Sequence, residues 1–174
     1  MQNKIRANVE LTAQIVIAIA IVVVAGVLVK RQLFSSPTRS HAPQINAGEK
    51  LVIPNVDWEQ NKKSLVFFLQ KGCVYCASAA PFYRQLIADA SNKNVTPVAI
   101  LPNSDDESHQ YLKSLDLPIE HVQTGSLSSY KINGTPTVLF VDHQGTVLSV
   151  WFGAPPEREN EMREKLAKLF VAND

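Results

Sequence analysis

Apolar positions change their pattern along the chain. From Leu11 to Val29 a run dominated by Ile, Val, Ala and Leu contains no charge. As a helix it covers roughly 28 Å, close to the ~30 Å hydrocarbon core of a bilayer. A helix that is apolar on every side needs lipid or a deep core around it. The run therefore predicts one transmembrane helix over 11–29, after a short flank at 1–10. A cleaved signal peptide has a shorter apolar region and small residues at its cleavage site. This run instead stops at Lys30-Arg31, so an uncleaved signal anchor is expected. Residues 30–47 carry Ser35, Ser36, Pro37, Thr38, Ser40, Pro43 and Asn46 and read as a linker. Residues 48–174 then form one domain, long enough to bury a core.

Within that domain the runs shorten. Ser64 to Gln70 predicts a buried strand. Ala77, Ala80, Phe82, Leu86, Ile87 and Ala90 fall near helical spacing and predict a helix from Cys73 to about Ala90, with Pro81 expected to kink it. Val95 to Leu101 reads as a strand, though Pro97 argues against a tightly paired centre. Ser104 followed by Glu107 is a capping-box pattern and opens a helix through Leu115. Ile119 to Gln123 predicts a short strand. Thr137 to Val141 predicts a buried strand, Asp142 to Gly145 a turn, and Thr146 to Phe152 the returning partner. Pro155-Pro156-Glu157 starts a last helix, with Met162, Leu166, Leu169 and Phe170 on one face. The order β-α-β-α-β-turn-β-β-α predicts an α/β domain, a mixed sheet with helices on both faces. Trp58 and Trp151 are expected to be core or sheet-face aromatics.

Composition narrows the function. With 45% hydrophobic and 19% charged residues, the chain is neither disordered nor fibrous. A formal charge of +1 offers no basic footprint, so no nucleic-acid partner is expected. Residues 48–174 hold 12 Lys+Arg against 15 Asp+Glu, a net −3, and the remaining basic residues cluster around the apolar run. Counting Lys and Arg alone, Lys30, Arg31 and Arg39 outweigh Lys4 and Arg6 and would place the trailing side in the cytoplasm.

The chain has two cysteines. They cannot staple a mini-protein, nor alone supply a four-cysteine metal site. Cys73-Val74-Tyr75-Cys76 stands where a predicted strand ends and a helix begins. Two thiols three residues apart on a first helical turn lie on the same side, within reach of a disulfide. Cys73, at the helix N-terminus, meets unpaired N–H groups and a dipole that favour an anion, which lowers a thiol pKa; Lys71 is expected to add to this. Cys76, one turn in and more buried, suits the resolving role. The expected chemistry is attack by Cys73 on a substrate disulfide, a mixed disulfide, and release by Cys76. Half a zinc site or two plain buried thiols are the competing readings. His41, His109, His121 and His143 are scattered without paired spacing, so neither a metal nor a cofactor is expected. Thr135-Pro136 stands just before a strand, where proline is tolerated and a cis bond can occur. A cis bond would leave the Thr135 backbone open to an extended substrate. Tyr75, exposed beside the thiol, is expected either to touch substrate or to shield the disulfide.

A strand, a Cys-x-x-Cys helix, Pro81 eight residues after Cys73, and Gly134-Thr135-Pro136-Thr137 before a hairpin together resemble the thioredoxin fold. The anchor and the additional helix and strand at about 104–123 resemble the TlpA/ResA-type thiol–disulfide oxidoreductases of bacteria. The resemblance covers about residues 48–172. It implies that Cys73 attacks, Cys76 resolves, Pro81 kinks the helix and Pro136 is cis. It further implies a membrane-anchored enzyme reducing protein disulfides, with protein disulfide or dithiol substrates and a membrane or periplasmic redox partner supplying electrons. The family's domain faces the periplasmic, extracytoplasmic side, and on that ground this orientation is expected over the Lys/Arg count. Four positions depart from the pattern. Phe67 replaces the buried Asp of thioredoxins, Ala79 replaces the Glu of ResA-like proteins, and Val74-Tyr75 replaces Gly-Pro. No obvious buried carboxylate is left to take the proton from Cys76. Two rivals share the fold. A peroxide reductase would need a Thr-x-x-Cys that does not precede Cys73. A copper carrier would need a histidine beside the pair, and His143 lies a few residues beyond the strand that follows Pro136.

Overall fold

A computed structural model describes residues 44–153 and 156–171. The predicted span at 11–29, its leading flank and most of the linker lie outside these residues. Among the described residues, no helix is long and apolar enough to cross a membrane.

The sheet is built around β1 (Lys63–Phe68), whose residues from Ser64 onward are all buried. β1 pairs in parallel with β2 (Val95–Leu101) and antiparallel with β4 (Thr137–Val141). β2 pairs in parallel with β3 (His121–Thr124), and β4 antiparallel with β5 (Val147–Phe152). The resulting order is β3-β2-β1-β4-β5. Burial on both faces explains why β1 and β4 read as continuous apolar runs rather than alternating ones. Pro97 is accommodated because β3 pairs only with Val98 to Leu101. The proline sits just before the doubly paired stretch, with β1 alone beside it.

Among the described residues four α-helices accompany the sheet: α1 (Trp58–Asn61), α2 (Val74–Ser91), α3 (Asp105–Ser114) and α4 (Glu159–Val171). The β1-α2-β2 and β2-α3-β3 crossovers step in the same direction along the sheet. Parallel crossovers are right-handed, so both helices fall on one face. α4 joins them there. Phe82, Tyr83, Leu86 and Ile87 of α2, Leu112 of α3, and Met162, Leu166 and Phe170 of α4 pack with Leu65, Phe67, Val138, Phe140 and Trp151 of the sheet. The helices expected on both faces are thus divided unevenly. The second face is closed by Ile45, Leu51, Ile53 and Ile132, with Val56 and Trp58 and with Leu127 and Tyr130 of the 3-10 turn Leu127–Tyr130, against Val66, Phe68, Val98, Ile100, Leu139, Val141 and Val147. Ile45 falls inside the stretch read as linker, yet it is buried and donates its N–H to the Lys131 carbonyl at 3.0 Å. The packed unit therefore reaches back at least that far.

Two local readings change in detail. Ser104 is the N-cap of α3, but its hydroxyl donates to the Glu107 carboxylate at 3.1 Å instead of accepting a helix N–H. The last helix is preceded by a 3-10 turn at Pro156–Arg158, and its α-helical part starts at Glu159. In the β4–β5 turn, Asp142 Oδ1 accepts from the N–H groups of Gln144 and Thr146, both at 2.8 Å. Gly145 has φ +75° there, and a Cβ on it would come within 2.8 Å of the Trp58 ring and 3.2 Å of the Leu51 carbonyl.

Candidate functional site

β1 ends at Phe68, and the chain turns through Gln70, Lys71 and Gly72 to start α2. Gly72 has φ +82°, a conformation that glycine adopts without steric cost. The turn is closed by the Cys73 N–H on the Gln70 carbonyl, 3.1 Å. Cys73 is therefore the N-cap of α2, with extended backbone, and its sulfur accepts the Cys76 N–H at 3.1 Å. An N-cap acceptor satisfies one of the donors left over at a helix start, and an anionic acceptor does so more strongly. Cys73 and Cys76 are joined in a disulfide with their Cα atoms 5.2 Å apart. Cys76 is fully buried (0%), while Cys73 is half-buried. Of the two sulfurs, that of Cys73 faces outward.

The second part of the site comes from far along the chain. The Thr135-Pro136 bond is cis, and the Thr135 carbonyl oxygen lies 3.4 Å from Cys73 Sγ. Two bonds hold this loop: the Thr137 hydroxyl donates to the Gly134 carbonyl at 2.7 Å, and the Gly153 N–H donates to the Pro136 carbonyl at 2.8 Å. The fold thus brings together Cys73, Cys76, Thr135 and Pro136 of the residues singled out in the sequence. Tyr75 is 75% exposed and neighbouring Val74 76% exposed, so both stand in solvent beside the disulfide. Pro81 lies inside α2.

Lys71 does not act as a free cation toward Cys73. Its ammonium lies 2.8 Å from Glu107 Oε1 at the start of α3, and its backbone N–H donates to Asn103 Oδ1 at 3.2 Å. The Lys71 ammonium, together with the Ser104 hydroxyl, holds the Glu107 carboxyl below its usual pKa. Lys131, in the loop leading to Thr135, is likewise paired with Glu49. Sequence reasoning passed over both glutamates. The signal for Glu107 was present in Ser104-x-x-Glu107, but a capping pattern points along its own helix, not to a distant lysine.

Phe67 and Ala79, at the two positions where the resemblance implied a carboxylate, are both buried. The Phe67 ring packs edge-on to Tyr83 at 5.2 Å. Burial, aided by the charge of Glu159, raises the Tyr83 phenol well above its ordinary pKa, so the hydroxyl stays protonated. Among the described residues the buried polar or charged side chains are Ser64, Ser108, Thr137 and Ser149, none of them a carboxylate. His143 follows Val141, which pairs with Ser64 at the opposite end of β1 from Cys73; it is not beside the thiols. Among the described residues no group of three or more His, Cys, Asp or Glu is arranged to hold a metal ion.

Solved structures share this architecture. A protein assigned as thiol:disulfide interchange protein DsbE from Chlorobium tepidum superposes with a TM-score of 0.58 at 18% identity, covering 73% of this chain and 99% of that one. The thioredoxin domain of a thiol-disulfide oxidoreductase from Bacteroides vulgatus gives 0.58 at 17% identity, covering 71% and 99%. A thiol:disulfide interchange protein from a Bacteroides species gives 0.51 at 18% identity, covering 72% and 89%. At such identities the likeness establishes the fold. No curated protein sequence matches the chain. The sequence model of the thioredoxin-like domain matches residues 58–169, from α1 through most of α4 and across the disulfide and the cis-proline loop, so the chain belongs to the thioredoxin-like domain family.

Proposed function

We propose that the protein is a thiol–disulfide oxidoreductase that reduces disulfides in protein substrates. The observation that carries this reading is the placement of the Cys73 sulfur. It caps α2, faces outward, and lies within bonding reach of a fully buried second cysteine.

In the reduced enzyme, the Cys73 thiolate attacks one sulfur of a substrate disulfide. A Cys73–substrate bond forms, the substrate S–S bond breaks, and the departing thiolate takes up a proton. Cys76 then gives up its proton and attacks the Cys73 sulfur. The Cys73–Cys76 disulfide closes, and the second substrate sulfur leaves as a thiol. Two electrons have passed from the enzyme dithiol to the substrate. A dithiol donor in the membrane or the periplasm returns them by the reverse exchange. The N–H of Cys76, aimed at the Cys73 sulfur, favours the thiolate in the attacking step. With Phe67 and Ala79 where the resemblance implies a carboxylate, no buried carboxylate among the described residues stands ready to take the proton from Cys76. The Thr135 carbonyl marks where an extended substrate strand lies, and Tyr75 is placed to contact it.

The same reading holds that residues 11–29 anchor the chain as a single-pass signal anchor with the domain on the extracytoplasmic side. It rests on the uncharged apolar run and on the resemblance to anchored relatives, and a reporter fused at the C-terminus tests the sidedness. For the activity, a Cys76→Ser variant is expected to accumulate mixed disulfides through Cys73, and the wild type to reduce insulin disulfides. Absence of both results removes the enzyme reading.

A further inference from the structure

Lys71 is the only charged residue between Lys63 and Arg84, and it stands two positions before Cys73, within about 7 Å along the backbone. A cation there would be the obvious means of stabilising the Cys73 thiolate, yet Glu107 Oε1 sits 2.8 Å from its ammonium. Glu107 is in turn held by the Ser104 hydroxyl at 3.1 Å, and Asn103 of the same connection holds the Lys71 N–H at 3.2 Å. The other loop bordering the disulfide repeats the arrangement, with Lys131 paired to Glu49. Other charges of α2, α3 and the loop after α3 are engaged elsewhere or exposed. Asp105 is 3.7 Å from His109, Asp106 is exposed, and Arg84 bonds to the Leu115 carbonyl at 2.9 Å and lies 3.8 Å from Asp116.

We propose that Glu107 is a positioning residue for the dithiol, acting through Lys71: it cancels the Lys71 cation, so that the acidity of Cys73 is set by the end of α2 rather than by a neighbouring ammonium. This deepens the oxidoreductase reading and rests on it for its functional meaning. Removing either partner of the pair leaves the other charge uncompensated, and the two removals push the thiol in opposite directions. A contact that merely braced the loop would move it the same way in both.

The test is the rate of iodoacetamide alkylation of Cys73 in the reduced full-length chain, followed around neutral pH; buried Cys76 does not compete. Glu107→Gln is expected to speed alkylation about twofold below the thiol midpoint, and Lys71→Met to slow it about twofold, as a unit charge several ångströms away in a water-like medium should. Lys71→Met combined with Glu107→Gln should return to the wild-type rate, Lys71→Arg should match it, and all shifts should shrink at high salt. Shifts of the two single variants in the same direction, no shift in either, or shifts indifferent to salt overturn the proposal. If the wild type reduces insulin disulfides while this cycle fails, only the role of Glu107 falls. If the cycle holds while insulin stays oxidised and no mixed disulfide is trapped, the oxidoreductase reading falls instead.

Discussion

The two faces of the sheet are closed by different means. One is covered by α2, α3 and α4, regular helices with apolar stripes. The other is covered mainly by an irregular stretch, Ile45 to Val56, together with α1 and the 3-10 turn at Leu127–Tyr130. The helical face carries the disulfide at the start of α2. The second face holds the loop opposite it, because Ile45 bonds to Lys131 and Glu49 pairs with Lys131 just upstream of Thr135. The site thus depends on both faces, although only one looks like the scaffold of an enzyme. The family match starts at residue 58, just after this stretch.

The most severe test of that view is deletion of residues 44–53. It removes Ile45, Leu51 and Ile53, each no more than 4% exposed. At about 1.5–3 kcal/mol per buried aliphatic side chain, the loss approaches the ~5–15 kcal/mol total stability of a domain. Loss of a cooperative thermal transition is the expected result. A deleted chain that melts like the full one would show the second face to be dispensable. Single truncations sharpen the contrast. Leu86→Ala on the helical face and Leu51→Ala on the other should each cost about 2–5 kcal/mol in denaturant unfolding. A much smaller cost at Leu51 would mean the Ile45–Val56 stretch packs loosely.

Next in size is Gly145→Ala. The new Cβ meets Trp58 and the Leu51 backbone at an already positive φ, and about 1–3 kcal/mol of destabilisation is expected. Gly72→Ala, with open space around its Cβ, should cost less, about 1 kcal/mol from backbone conformation alone. Equal costs at the two glycines would argue that Trp58 yields freely.

The smallest effect is electrostatic. Hydrogen bonds from Lys131 and then Asn46 hold the Glu49 carboxyl below its usual value near 4.5. A carboxyl lowered in the folded state contributes stability above that value, and the contribution is lost as pH falls through the folded pKa. As pH falls from about 4.5 through the folded-state pKa, the loss of stability should therefore be less steep in Glu49→Gln than in the wild type. Unchanged steepness would show that solvent screens the pair completely.

Much of the fold was legible because its signals are local. Ser64 to Gln70 and Thr137 to Val141 read as buried strands, since a strand covered on both sides must be apolar at every position. The α2 helix was legible from its periodicity. Pro136 was placed at a strand start because proline cannot donate within a ladder. The second face was not legible. Gln44 to Val56 shows no periodicity, since an irregular covering segment with two turns has no repeating contacts, and its first residues, up to Ala47, read as the end of a tether. α1 was missed because four residues are too few to show a period. Pro97 looked unsuited to a well-paired strand, and only the short reach of β3 resolves that.

The amino-acid sequence alone determined where the Cys-x-x-Cys pair stands, because the spacing of Cys73 and Cys76 and the strand-to-helix junction beneath them are set by neighbouring residues. Which sulfur faces outward, where Thr135 lies, and what becomes of the charge on Lys71 were decided only in the folded chain. Each of these depends on groups dozens of residues apart meeting in space, and a contact of that kind leaves no periodic trace in either partner's own segment.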